Sequence, residues 1–124
     1  MNYVAVQGIS AASYNGATAV PLADMTAVIK TKGNPIEVNF TATTSSTTLG
    51  CAMYFRIYID GVFVGMESDS NASVAGGYEW IASISEIIPV SAGVHTVQVM
   101  WYTAGGAGSI PALKRFLTVK ELGD

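Results

Sequence analysis

The sequence predicts an all-β protein, an antiparallel β-sandwich of jelly-roll type with about eight strands and a short extended N-terminal arm. Three observations predict it. Runs of alternating apolar and polar residues recur along the chain. Clusters of Gly, Pro, Asn, Asp and Ser separate them. No long stretch sets apolar residues at i, i+3, i+4 and i+7 between helix caps. The paired cysteines around a tryptophan that mark an immunoglobulin domain are absent, which favours the jelly roll.

The elements follow in order. Asn2 to Ile9 reads as a short strand or an extended arm, and Ser13 to Ala19 as a loop of small residues. Met25 to Thr31 alternates, and Lys32 to Pro35 is a turn in which Gly permits positive φ and Pro fixes it. Ile36 to Thr43 alternates cleanly, with Ile36, Val38 and Phe40 on one side. Thr43 to Gly50 is a polar loop. Ala52 to Met66 is a hairpin around Asp60-Gly61, the pair a tight turn with two positive φ angles prefers. Glu67 to Gly77 reads as a long loop. Tyr78 to Ile87 and Val94 to Thr103 are strands joined by a turn. Ala104 to Ser109 interrupts the chain before a last strand, Leu113 to Leu122.

The chain has 124 residues, enough for one domain: an arm over 1–17 and a sandwich over 18–124. Half the residues are hydrophobic and 12% are charged, against roughly 25% in ordinary soluble domains. Ser, Thr, Ala, Gly and Asn take the place of charge. A net charge of −3 without a basic patch argues against nucleic acid as a partner. No apolar run approaches the ~18 residues of a membrane helix. The start, MNYVAVQGIS, lacks a basic region followed by an apolar stretch, and Cys51 is the single cysteine. Synthesis in a host cytoplasm is the expectation, with a particle released by lysis as one destination.

Residues with chemical potential are few. His95 is the single histidine and shares a strand face with Val97, Val99 and Trp101, the setting of a structural residue. No G-x-S-x-G elbow exists for it to serve. Cys51 reads as a small buried side chain. Glu67, Asp69 and Asn71 have the x-spacing of a calcium loop, but Ala72 and Tyr78 stand where Gly and Glu are needed. Asn71-Ala72-Ser73 and Asn39-Phe40-Thr41 match the glycosylation triplet by coincidence. Glu37, Glu79 and Glu86 lie on different strands, so no glycosidase pair is in view. No enzymatic site, cofactor or metal is expected.

Aromatic residues are more informative. In the hairpin, Phe55, Ile57 and Ile59 point to a core, which leaves Tyr54, Arg56 and Tyr58 on the outward face, with Phe63 across the turn. Large aromatics on an outward face are favoured at subunit contacts. An oligomer interface of Tyr54, Arg56, Tyr58, Phe63, Tyr102 and Phe116 is therefore expected. Trp80 and Trp101 are candidate contacts for a glycan, as an aromatic platform; the alternative is that they are core.

The succession VIKTKGNPIEVNF, YFRIYIDGVFVG, IPVSAGVHTVQVMWY and RFLTVKEL resembles small jelly-roll modules of tailed-phage virion proteins: decoration proteins, head fibres and tail-fibre tips. Those modules look like the trimeric jelly rolls of the tumour necrosis factor class. The resemblance covers about residues 20–122 and is most specific in RIYIDGVFVG, SAGVHTVQVMW and RFLTVKEL. It implies a homotrimer in a virion, with a major capsid protein or another virion protein as partner. Chain length favours a decoration or cement protein, docking through an arm that includes Asn2, Tyr3, Val4 and Val6. A receptor- or carbohydrate-binding fibre tip that recognises a host-surface glycan is the alternative.

Overall fold

Alternation of apolar and polar residues organises the chain into ten strands, with no helix among the described residues. The computed structural model describes residues 2–71 and 79–123. The strands are β1 (Tyr3–Gln7), β2 (Ala12–Tyr14), β3 (Val20–Lys32), β4 (Ile36–Ser45), β5 (Ala52–Ile59), β6 (Val62–Asn71), β7 (Glu79–Ile88), β8 (Ala92–Ala104), β9 (Gly108–Ile110) and β10 (Arg115–Glu121). All pairings are antiparallel.

Two sheets stack into the expected sandwich. The first runs β1-β10-β4-β7, with β9 and β2 continuing from β4; the second runs β3-β8-β5-β6. Their inward residues make one core. Ile36, Val38, Phe40 and Ala42 of β4 face Phe55, Ile57 and Ile59 of β5, with Val97, Val99 and Trp101 from β8 and Leu117 and Val119 from β10. Phe40 and Phe55 meet across the layers at 5.3 Å between ring centres. Each such side chain stabilises the fold by roughly 1.5–3 kcal/mol on burial. Asp60 and Gly61 both take positive φ, 52° and 82°, as the hairpin turn requires.

The sequence expectation of a loop from Glu67 is corrected: β6 continues to Asn71. The stretch lacks apolar alternation because hydroxyls fill the core at that end. Thr44 and Ser70 are buried and hydrogen-bonded at 2.9 Å. The rest of that expected loop, residues 72–78, lies outside the described residues, and with it part of the Asn71-Ala72-Ser73 triplet. Short strands β2 and β9 also fall where loops were expected; they pair with each other.

The N-terminal segment lies along the body. Over Tyr3–Gln7 it is the edge strand of the first sheet, in register with β10 from Tyr3–Lys120 to Gln7–Phe116. Val4 and Val6 pack on the core. The Asn2 amide donates to the Lys30 carbonyl at 2.7 Å and to Glu121 at 2.8 Å. At the far end Gly8 N–H reaches the Arg115 carbonyl at 3.0 Å.

Arg115 explains that far end. Its side chain is fully buried. The guanidinium donates to the carbonyls of Ala23 and Ser10 at 2.9 and 2.7 Å, and Asp24 approaches at 3.5 Å. Burial pulls its pKa down and Asp24 partly offsets that. A buried cation persists only where such acceptors surround it. Arg115 thus ties residues 8–10 and the irregularity of β3 near Asp24 to the body.

Candidate functional site

Chemistry has little to work with. Among the described residues no three His, Cys, Asp or Glu side chains are placed to hold a metal ion. Cys51 is buried. Glu67, Asp69 and Asn71 lie on β6, where alternate residues stand nearly 7 Å apart and do not converge. A groove of about 260 Å³ runs between β6 and β7, lined by residues that include Glu67, Asp69, Ser83, Ser85 and Glu86.

His95 is structural. It is nearly buried, with Nδ1 2.7 Å from Asp60 Oδ2 and Nε2 2.7 Å from the Ser91 carbonyl. Its bond to Asp60, then that to Ser91, raises its pKa. The Thr96 N–H, then His95, lowers that of Asp60.

The two outer sheet faces are the remaining candidates. On the second sheet, Tyr54 of β5 stands beside Tyr102 of β8, and Tyr58 beside Phe63 of β6. Tyr54 and Tyr102 stack at 4.7 Å, and Tyr58 and Phe63 at 5.9 Å. Arg56 lies between the pairs, its guanidinium 4.7 Å from the Phe63 ring centre and 5.0 Å from that of Tyr102. Glu67 holds the arrangement, accepting from Arg56 and, at 2.8 Å, from the Tyr102 hydroxyl. The Arg56–Glu67 bond raises the Arg56 pKa; burial first, then Glu67, raises that of Tyr102. A bulge makes the meeting possible. Gly65, at φ 78°, lies where the register shifts, so Arg56 falls opposite Glu67. Tyr54, Tyr58 and Tyr102 are thus half-buried against these neighbours, and Phe63 stays 41% exposed.

The first sheet presents a different face. Its outward residues form rows: Tyr3, Lys120, Glu37 and Ile87; Ala5, Thr118, Asn39 and Ser85; Gln7, Phe116, Thr41 and Ser83; then Thr43 and Ile81. Ile81 is 68% exposed, Ile87 63% and Phe116 46%. Leu113, Ile81 and Phe116 border a shallow cavity of about 190 Å³ with Thr41 and Thr43.

The expected interface set is thus divided. Tyr54, Arg56, Tyr58, Phe63 and Tyr102 share the second sheet's outer face, while Phe116 lies on the opposite side of the molecule. Of the expected docking residues, Asn2, Val4 and Val6 are engaged with the body, and Tyr3 is exposed. The expected glycan contact at Trp101 is corrected. Trp101 is 3% exposed, with its ring 5.9 Å from Phe55 and 6.0 Å from Tyr14. Trp80 packs against the same core. Sequence reasoning missed Ile81, Ile87 and the buried Arg115. The alternation of β7 carried the signal for the first two: Ile81 and Ile87 fall on the face opposite Ala82, Ile84 and Ile88.

No family model matches the chain, and no curated protein sequence matches it. Solved structures do. A chain of the infectious bursal disease virus Gx strain superposes with a TM-score of 0.67 at 13% identity, over 100% of this chain and 33% of that one. The present chain therefore spans about a third of its length. Eiger TNF from S. frugiperda matches with a TM-score of 0.61 at 8% identity, over 100% of this chain and 95% of that one. The globular domain of the zebrafish complement 1qA protein matches at 0.59 and 11%, over 99% and 98%. At these identities the likeness is one of fold, and the fold is the jelly roll.

Proposed function

We propose that the protein is a non-enzymatic structural component of a virion, a phage capsid decoration or cement protein that assembles with itself as a homotrimer. The observation that carries this reading is the apolar patch of Ile81, Leu113 and Phe116, all exposed around one shallow cavity on the outer face of the first sheet. Exposed apolar patches of that kind mark contact with another macromolecule. The jelly-roll fold, shared with a virus chain and with the globular domain of a complement protein, accords with it. The major capsid protein or another virion protein is the second partner, reached through the free edge of β1 and the exposed Tyr3.

Light scattering on purified protein at micromolar concentration tests the assembly. Three times the 12.9 kDa chain mass is expected. A monomer sinks the reading. Cosedimentation with purified phage capsids stripped of decoration tests the second partner: the wild-type chain cosediments, and a Tyr3→Glu variant binds at least tenfold more weakly. A wild-type chain that stays in the supernatant counts against the capsid role.

A further inference from the structure

We infer that Asn15 is a self-modifying site, a deamidation site whose rate Thr103 sets by holding the neighbouring backbone nitrogen.

The connection between β2 and β3 carries Asn15-Gly16, the single Asn-Gly pair of the chain. That pair has a chemistry of its own. The Gly16 nitrogen attacks the side-chain carbonyl carbon of Asn15. A bond forms from that nitrogen to Asn15 Cγ, and the bond from Cγ to the side-chain nitrogen breaks. Ammonia leaves, carrying the proton of the attacking amide. Water then opens the five-membered succinimide at either carbonyl. One product is aspartate; the other is isoaspartate, in which the chain continues through the side-chain carbon. Overall one water is consumed and one ammonia released. Glycine favours the attack, because it has no side chain to block it and leaves the backbone free to turn. Asn2, Asn34, Asn39 and Asn71 precede Tyr, Pro, Phe and Ala, which hinder the attack or lack the N–H.

The surroundings expose the electrophile. Asn15 is exposed and lies outside the strands, and no hydrogen bond holds its side chain among the described residues. Water reaches Cγ, and the side chain is free to rotate toward the nitrogen. Packing explains why glycine follows. A Cβ at Gly16 would fall 2.5 Å from the Tyr14 hydroxyl oxygen. Tyr14 is itself held, donating to the Thr18 carbonyl at 2.9 Å with its ring 6.0 Å from that of Trp101.

The nucleophile, by contrast, is guarded. Gly16 N–H donates to Thr103 Oγ1 at 3.0 Å, and the Thr103 N–H donates to the Gly16 carbonyl at 2.7 Å. Thr103 is buried on β8. To react, the Gly16 nitrogen must give up its proton and turn toward Cγ. It does neither while bonded to the buried hydroxyl. The reaction therefore waits for the loop to open locally, and the opening equilibrium sets its rate. Without the hydroxyl, the closed loop would keep a buried donor unsatisfied, which favours opening. Either product takes the net charge one unit below −3. The isoaspartyl product also lengthens the backbone by one carbon, which shifts Gly16 out of register with Thr103.

The test ages the full chain at mildly alkaline pH and follows Asn15 by peptide mass spectrometry, with chromatography separating the two products. Wild type, Thr103→Val and Thr103→Ser are compared. Conversion at Asn15 is expected to run at least fivefold faster in Thr103→Val than in wild type. Thr103→Ser keeps the hydroxyl and should stay within twofold of wild type. Equal rates in wild type and Thr103→Val overturn the inference, as does an Asn15 that stays unconverted in both. Should circular dichroism show Thr103→Val unfolded, wild type in urea decides instead. Conversion at least tenfold faster than in the folded chain supports the guard, and an equal rate overturns it.

Discussion

Both ring nitrogens of His95 face acceptors: the Asp60 carboxylate at 2.7 Å and the Ser91 carbonyl at 2.7 Å. A neutral imidazole has one N–H and can serve only one of them. The folded state therefore favours the imidazolium, which joins the hairpin turn to the connection between β7 and β8.

The pH dependence follows from the sign of each shift. His95 has a raised pKa in the fold, so its contribution is complete below the ordinary value near 6.5 and fades as pH rises through the folded value. Asp60 is shifted down, so its contribution is complete above about 4 and fades as pH falls through its folded value. Thermal melts from about pH 5 to about pH 9 should show the wild type losing stability toward alkaline pH. His95→Gln should be flatter across that window, and a parallel slope in both proteins would refute the assignment. With one histidine in the chain, its NMR titration is free of overlap.

Arg115 and Gly8 should behave as a coupled pair. A Cβ at Gly8 would collide with the Arg115 side chain. Arg115→Ala should cost roughly 3 kcal/mol in urea unfolding, because it strips the carbonyls of Ser10 and Ala23 of their donor. Gly8→Ala alone should also destabilise. In the Arg115→Ala background that cost should largely disappear, since the collision is gone. Additive losses would show that the two do not share one site.

Gly65→Ala should cost more than the ~1 kcal/mol usual for a left-handed backbone position. Its φ is 78°, and a Cβ would land on the Glu86 carboxylate. The Arg56–Glu67 pairing should weaken at the same time, visible as a change in the near-ultraviolet dichroism of the stacked tyrosines. A melting temperature equal to wild type would show that the bulge tolerates a side chain.

Removing residues 2–7 should lower stability as well as any capsid binding. Val4 and Val6 alone contribute roughly 2 kcal/mol by burial, and β10 would become an open edge. The expected outcome is a lower urea midpoint with a tendency to associate. An unchanged midpoint would mean that the segment leaves the sheet in solution.

Where side chains alternate in character, the fold was legible. Phe55, Ile57 and Ile59 announce their face by period, and Asp60-Gly61 announces the turn. The same period placed Trp101 beside Val97 and Val99, which already argued for the interior over a sugar contact. Glu67 to Asn71 was illegible because buried Ser70 bonds Thr44, and a hydroxyl inside a core reads as loop. The site was harder to read. Tyr54 and Tyr58 look exposed until Tyr102 is brought alongside from β8 and Gly65 shifts the register toward Glu67. Arg115 looks like a surface residue because its acceptors lie far away in sequence.

The clamps at Glu121 and His95 have a geometric corollary. Burial pushes the Glu121 carboxyl up, but donors from Lys32, Asn2 and Asn34 outweigh it and hold its pKa low. Asn2 and Leu122 therefore meet the Lys32–Pro35 turn at one pole of the sandwich, the pole that also carries Asp60 and Ser91. The connections around Thr48 and Gly105 occupy the antipode. Cargo spliced to either end of the chain would depart from the same pole, leaving the antipodal loops and both broad flanks unobstructed.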